Sequence, residues 1–271
     1  MEKKPKKYFA FEEYRDAADS LYAVSGMLLF SFAKHDCDTR NLVIRNFVSR
    51  SAMMLRGIFR LWELSDYQDT WIIHRALLDR LFHLHDLCEK NQFQEFDDWS
   101  FFEQYKAQNK VKSDHAFKHE AVGWVYELTD EQKFRVKTLS ANPPKWRRPK
   151  AEDVAKSMDL DFLYKYGYDF ASTHVHPMAN DGQQDFYTIT NLEHTPKFPD
   201  QVSVLSNSIL ATSLLFQEVL HRSSFRWRHL LWDYIDQIRL FLDEGSNSYK
   251  ESFLKLGHMF PETELCEKTE A

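Results

Sequence analysis

Residues 71–88 read WIIHRALLDRLFHLHDLC. Set at 100° per residue, the apolar side chains run nearly all the way round a helix, which places that helix centrally in a bundle. The same eighteen positions carry Arg75, Asp79, Arg80, His83 and His85. Arg75, Asp79, His83 and Asp86 share one narrow stripe, while His74, Arg80 and His85 fall inside the apolar arc. A second stretch, YKYGYDFASTHVHPMAND at 164–181, mixes large aromatics with His174 and His176 in the same way. Burying ionisable groups is costly unless they meet one another or a ligand. A site is therefore expected where the two stretches come together.

Working outward, apolar residues recur every three to four positions along 8–35 (Leu21, Val24, Leu28, Phe32) and 40–62 (Val43, Phe47, Met54, Ile58, Leu61), predicting two long helices. Asp38 or Thr39 caps the second, and Ser65 or Asp66 caps a third over 66–90. Gly26, next to Ala23 and Ser25, predicts a point of close helix approach. Residues 91–150 are more polar and predict shorter helices, one beginning at Thr129–Asp130, and ANPPKWRRPK at 141–150 blocks helix through its prolines. Helix resumes over 151–171. Residues 172–200 are irregular, with a brief strand expected at FYTIT (186–190). Residues 201–257 predict one or two long helices and a short one. The expectation is a single all-α domain over 1–271, a bundle of five or six long helices. A polar peripheral insertion covers 91–150 and a frayed tail 258–271.

Composition agrees. The 271 residues are 43% hydrophobic, and only 7 are Gly and 8 Pro, so turns are few and elements long, against a many-stranded sheet. A net charge of −6 lacks the overall basic footprint of a nucleic-acid binder. Cys37, Cys88 and Cys266 are widely spaced and form no CxxC, as expected of reduced thiols in a cytoplasmic protein. No run of about 18 uncharged apolar residues predicts a membrane span.

Several constellations carry chemistry. Arg75 and Asp79, four apart, can meet on one helix face, either as a solvated pair or as a fixed guanidinium offered to an anion or to the His174–His176 loop. His174-Val-His176 with Asp181 could pair with His83 or His85 around an ion, but no recognised metal spacing is present, and no metal or cofactor is assigned. The basic loop Lys145–Lys150 and the late helix face of Arg222, Arg226 and His229 could meet phosphates, but read first as solvated surface, with Glu218–Arg222 facing water. Nucleophile motifs and phosphate-binding glycine loops are absent.

Two resemblances follow. Arg75-Ala-Leu-Leu-Asp79, Pro144-Lys-Trp146, Tyr164 and Tyr168, Ser172 and His176-Pro177, over roughly 40–220, resemble a bacterial family known as domain of unknown function 5677. The resemblance implies an all-helical fold with a shared polar centre. One departure is Asp79, where the family more often has Glu and hence a longer reach. Arg80 and His85 are similar to the Arg-x4-6-His motif of the all-helical HEPN ribonuclease superfamily, although Leu81 replaces the usual polar residue after the Arg. That resemblance implies a metal-independent ribonuclease in which Arg80 stabilises phosphate charge and His85 moves a proton, with a site assembled across a homodimer.

The resulting expectation is a bacterial, cytoplasmic protein whose polar pocket of Arg75, Asp79, Tyr168, Ser172, His174 and His176 binds an anionic small molecule, RNA or a partner, in stress or phage defence. The alternative is catalysis by Arg80 and His85.

Overall fold

The computed structural model describes residues 8–34, 38–113, 127–176, 178–179, 182–192 and 202–265. Among these every regular element is helical. Helix α1 (Phe11–Lys34), α2 (Thr39–Glu63) and α3 (Tyr67–Lys90) arise where the periodicity predicts them. Asp38 accepts from the Asn41 N–H at 2.7 Å and Asp66 from the Asp69 N–H at 3.2 Å, so each carboxylate satisfies a donor its helix leaves open. Helix α3 stops at Asn91, whose left-handed φ of 51° turns the chain while its N–H bonds the Leu87 carbonyl. Helix α4 (Phe93–Ser113) begins directly after it.

Helix α5 (Asp130–Ala141) starts at a reciprocal capping box, Thr129 with Gln132. After the Pro-rich segment come α6 (Ala151–Ser157) and α7 (Asp161–Leu163). A π-helical stretch, Tyr164–Asp169, then leads into α8 (Phe170–Ser172). The chain closes with α9 (Gln183–Thr190), α10 (Ser203–Arg222), α11 (Arg228–Glu244) and α12 (Ser248–Leu265).

Helix α3 is the hub, packing most heavily on α2 and α10, and also on α4, α6, the π-helix and α8. Its Leu77, Leu78, Leu81, Phe82, Leu84 and Leu87 are wholly buried, each worth about 1.5–3 kcal/mol of transfer free energy. Helix α10 has the length and mean hydropathy (1.2) of a membrane span, but 72% of that window is buried, because it is the other central helix of the bundle.

Several expectations need correction. Residues 186–190 lie in α9 rather than a strand: Gly182 starts the turn at φ 73°, Phe186 N–H bonds its carbonyl at 2.9 Å, and no strand stands among the described residues to pair with. Helix α12 runs on to Leu265, past the point at 258 where the tail was expected. Residues 91–150 are not wholly peripheral, since Phe93 and Trp146 join the core. The helix expected ahead of Thr129 falls largely outside the described residues. Gly26 is exposed and a Cβ there would meet nothing within 4 Å. The close approach is instead at Gly167, where a Cβ would lie 2.9 Å from Leu78 Cδ1 and 3.1 Å from His74 Nε2.

Candidate functional site

Helix α3 presents ionisable side chains to three different neighbours. Toward the π-helix, Arg75 is fully engaged. Its Nε donates to Ser172 Oγ at 2.9 Å and its Nη2 to Tyr168 Oη at 3.1 Å. Its guanidinium carbon lies 4.6 Å from the Tyr168 ring centre, and Nη1 stands 3.8 Å from Asp79 Oδ2. The long ion pair matches the short reach of Asp79. Ser172 Oγ in turn donates to the Tyr168 carbonyl at 2.8 Å, back-bonding across one turn. Burial, and then the nearby Asp79 charge, push the Tyr168 phenol above its ordinary value. Four of the six expected pocket residues therefore meet.

The two histidines do not join them. His174 stacks on Trp71 (ring centres 6.3 Å apart, 12° between planes) and meets Phe170 edge-on at 5.3 Å. His176 is exposed, because the helix ends at Ser172 and the turn after it carries the side chain outward. Asp181 lies outside the described residues. His83, which was to share an ion with them, faces Trp146 on another side of α3. Among the described residues no three His, Cys, Asp or Glu side chains are grouped so as to hold a metal.

Toward α10, His85 Nδ1 lies 3.3 Å from Glu218 Oε2. The hydrogen bond to Glu218 raises the His85 pKa against the opposing effect of burial. Glu218 also accepts from Arg222 Nε at 3.3 Å, and Arg222 pairs with Glu89. Glu218–Arg222 is thus part of a half-buried inter-helix network, not a pair facing water. Arg80 is not in it. Five residues apart on a helix, Arg80 and His85 diverge by about 140°, and they meet different neighbours.

Toward α2 and α4, Arg80 lines a cavity of about 400 Å³. Helix α3 supplies Asp79, Arg80 and His83, and α2 supplies Asn46, Phe47 and Arg50. Helix α4 adds Phe96 and Trp99, and the Pro-rich segment adds Arg148. The spacings are helical: Asn46 and Arg50 are four apart, as are Asp79 and His83, while Phe96 and Trp99 are three apart. Arg80 Nη1 donates to the Ala76 carbonyl at 2.9 Å. Among the described residues, Arg50, Arg80 and Arg148 form no ion pair, since the one carboxylate of the cavity, on Asp79, is turned to Arg75. Burial, and then the like charge of Arg50, lower the Arg80 pKa. Burial lowers that of His83 as well, with Asp79 opposing and Arg148 adding to the shift. Burial and the like charges of Arg148 and Arg80 thus disfavour protonation of His83.

The aromatic side of the cavity is braced from behind. Buried Trp146 lies 4.7 Å from Trp99, 4.9 Å from Phe96 and 6.3 Å from His83, ring centre to ring centre. Helix α4 is held by Arg135 of α5, whose Nη2 reaches Asp97 and Asp98 at 2.6 Å each. The sequence placed Arg80 and His83 on a central helix and Phe47 on the apolar face of α2, but Asn46, Arg50, Phe96 and Trp99 went unmarked and Arg148 read as solvated loop. The one available signal was the Pro144-Lys-Trp146 motif, which brings Arg148 alongside.

The fold and this polar centre define an all-helical bundle organised around one ionisable core helix. The chain belongs to a family of unknown function (DUF5677), whose model matches residues 41–188, from the start of α2 into α9. The matched span contains both the Arg75 cluster and the Arg80 cavity. No curated protein and no solved structure matches the chain.

Proposed function

We propose that the cleft between α2, α3, α4 and the Arg148 segment binds a small anionic ligand. The observation that carries this reading is the grouping of Arg50, Arg80 and Arg148 around one cavity with no carboxylate partner among the described residues. Three guanidinium groups brought together repel one another, and an anion relieves that repulsion while using their forked donors. The cavity volume lies in the range of small-molecule sites. The Arg75 cluster frames this site, since Asp79, which borders the cavity, stands 3.8 Å from the Arg75 guanidinium. A cytoplasmic setting goes with the reading, in keeping with three widely spaced cysteines. The geometry adds nothing to a ribonuclease using Arg80 with His85, because Glu218 holds that imidazole on another face of α3.

Thermal unfolding with increasing pyrophosphate tests the reading. The melting temperature is expected to climb with concentration, by the equivalent of about 2.7 kcal/mol at a hundred times Kd. Arg50→Ala and Arg80→Ala should remove that rise while melting normally without ligand. A flat response in the unaltered protein, or an undiminished one in both variants, would refute it.

A further inference from the structure

The cleft has two unlike halves, and an inorganic anion would use only one. Arg50, Arg80 and Arg148 make the cationic half. Phe47, Phe96 and Trp99 make the other, and these rings are not loosely placed. Phe96 is held edge-on by Phe47 at 6.0 Å and by Trp146 at 4.9 Å, and lies nearly parallel to Trp99 at 6.2 Å and 23°. A bare phosphate gains nothing from aromatic walls, whereas a planar π-system stacks on them. The lining also includes Asn46, whose amide both donates and accepts, and Asp79, whose carboxylate only accepts.

Building on the anion-binding reading, we propose that the ligand is a mononucleotide. Its phosphate sits among the three arginines, its base lies against the Phe47–Phe96–Trp99 wall, and its sugar hydroxyls face Asp79. Asn46 is placed to bond a base edge. A cavity of about 400 Å³ holds one such molecule and not a strand. The bracing of the wall by Trp146, and of α4 by Arg135 through Asp97 and Asp98, prepares the site before the ligand arrives. Stacking a base on a prepared aromatic surface is worth about tenfold or more in affinity.

The test is calorimetric titration of the full chain with adenosine 5′-monophosphate and the three other ribonucleoside monophosphates, with ribose 5-phosphate, and with pyrophosphate. At least one mononucleotide should bind ten times or more tighter than ribose 5-phosphate. Trp99→Ala should erase that difference and leave ribose 5-phosphate binding unchanged, with Phe47→Leu as a milder second variant should Trp99→Ala fold poorly. Arg80→Ala should weaken both. Equal affinity for ribose 5-phosphate and every mononucleotide would overturn base recognition and leave the anion site standing. An RNA oligonucleotide binding ten times tighter than any mononucleotide would overturn the single-nucleotide ligand. Binding of none of these, pyrophosphate included, would remove both readings together.

Discussion

Arg75 and Arg80 stand five residues apart on α3, and their surroundings are opposite. Arg75 has a hydroxyl, a phenol, an aromatic face and a carboxylate within reach. Arg80 has one backbone carbonyl, the like charge of Arg50, the Asp79 carboxylate acting without an ion pair, and an open cavity. The first arrangement is complete, and its donors have nothing left to offer. The second has donors with no ion-pair partner among the described residues, which is where the proposed anion would bind. A fully paired polar cluster stabilises a fold, while a cluster of unpaired like charges around a cavity marks where something else binds.

The contrast can be broken at the closed side first. Gly167→Ala pushes a methyl group into Leu78 and His74 and should destabilise by about 1–3 kcal/mol in chemical unfolding; a neutral result would show the π-helix shifting freely. Arg75→Ala strands Ser172 and Tyr168 and should cost about 1–2 kcal/mol, read as a lower denaturant midpoint at unchanged slope.

Two histidines of α3 sharpen the comparison through pH. His74 is fully buried, its Nδ1 2.9 Å from Ser208 Oγ and its Nε2 without a hydrogen-bond partner, and burial lowers its pKa to about 3. The unfolded chain takes up a proton near pH 6.5 that the folded one refuses, so stability falls as pH drops from about 6.5 toward 3. The slope from this one group is at most about 1.4 kcal/mol per pH unit. His74→Gln should flatten that acid limb. His85 has the opposite sign. Its pKa is raised by Glu218, so its contribution is complete below about pH 6.5 and is lost as pH rises through the elevated value. His85→Gln should flatten the neutral limb and leave the acid one. Identical profiles for both variants would contradict the assignment.

The smallest effect belongs to the open side. Arg50→Ala and Arg148→Ala should change stability by no more than about 0.5 kcal/mol, and removing one of three like charges should stabilise slightly at low salt. A loss comparable to that of Arg75→Ala would show these arginines holding the fold.

Much of the bundle was legible because its signals are local. Asp38, Asp66 and Thr129 stand just ahead of apolar periods and cap the helices that follow. The ionisable load of α3, and the meeting of Arg75 with Asp79, Tyr168 and Ser172, could be read because those residues share one stripe and one facing segment. The cleft could not, since it joins a few residues each from α2, α3 and α4 to Arg148 of the Pro-rich segment, each ordinary in its own context. Arg50 lies on the exposed edge of α2, and Arg148 lies in a basic loop. Periodicity says which face a residue occupies, not which face of another helix it meets. His176 misled for the converse reason, since nearness in sequence to Ser172 does not survive the end of a helix.

The most direct measurement is an NMR titration of the arginine Nε–Hε signals with pyrophosphate. Arg50, Arg80 and Arg148 are expected to shift together along one saturating curve. Arg75, locked on Ser172 and Tyr168, should stay in place. Movement of the Arg75 signal with the other three unmoved would contradict it.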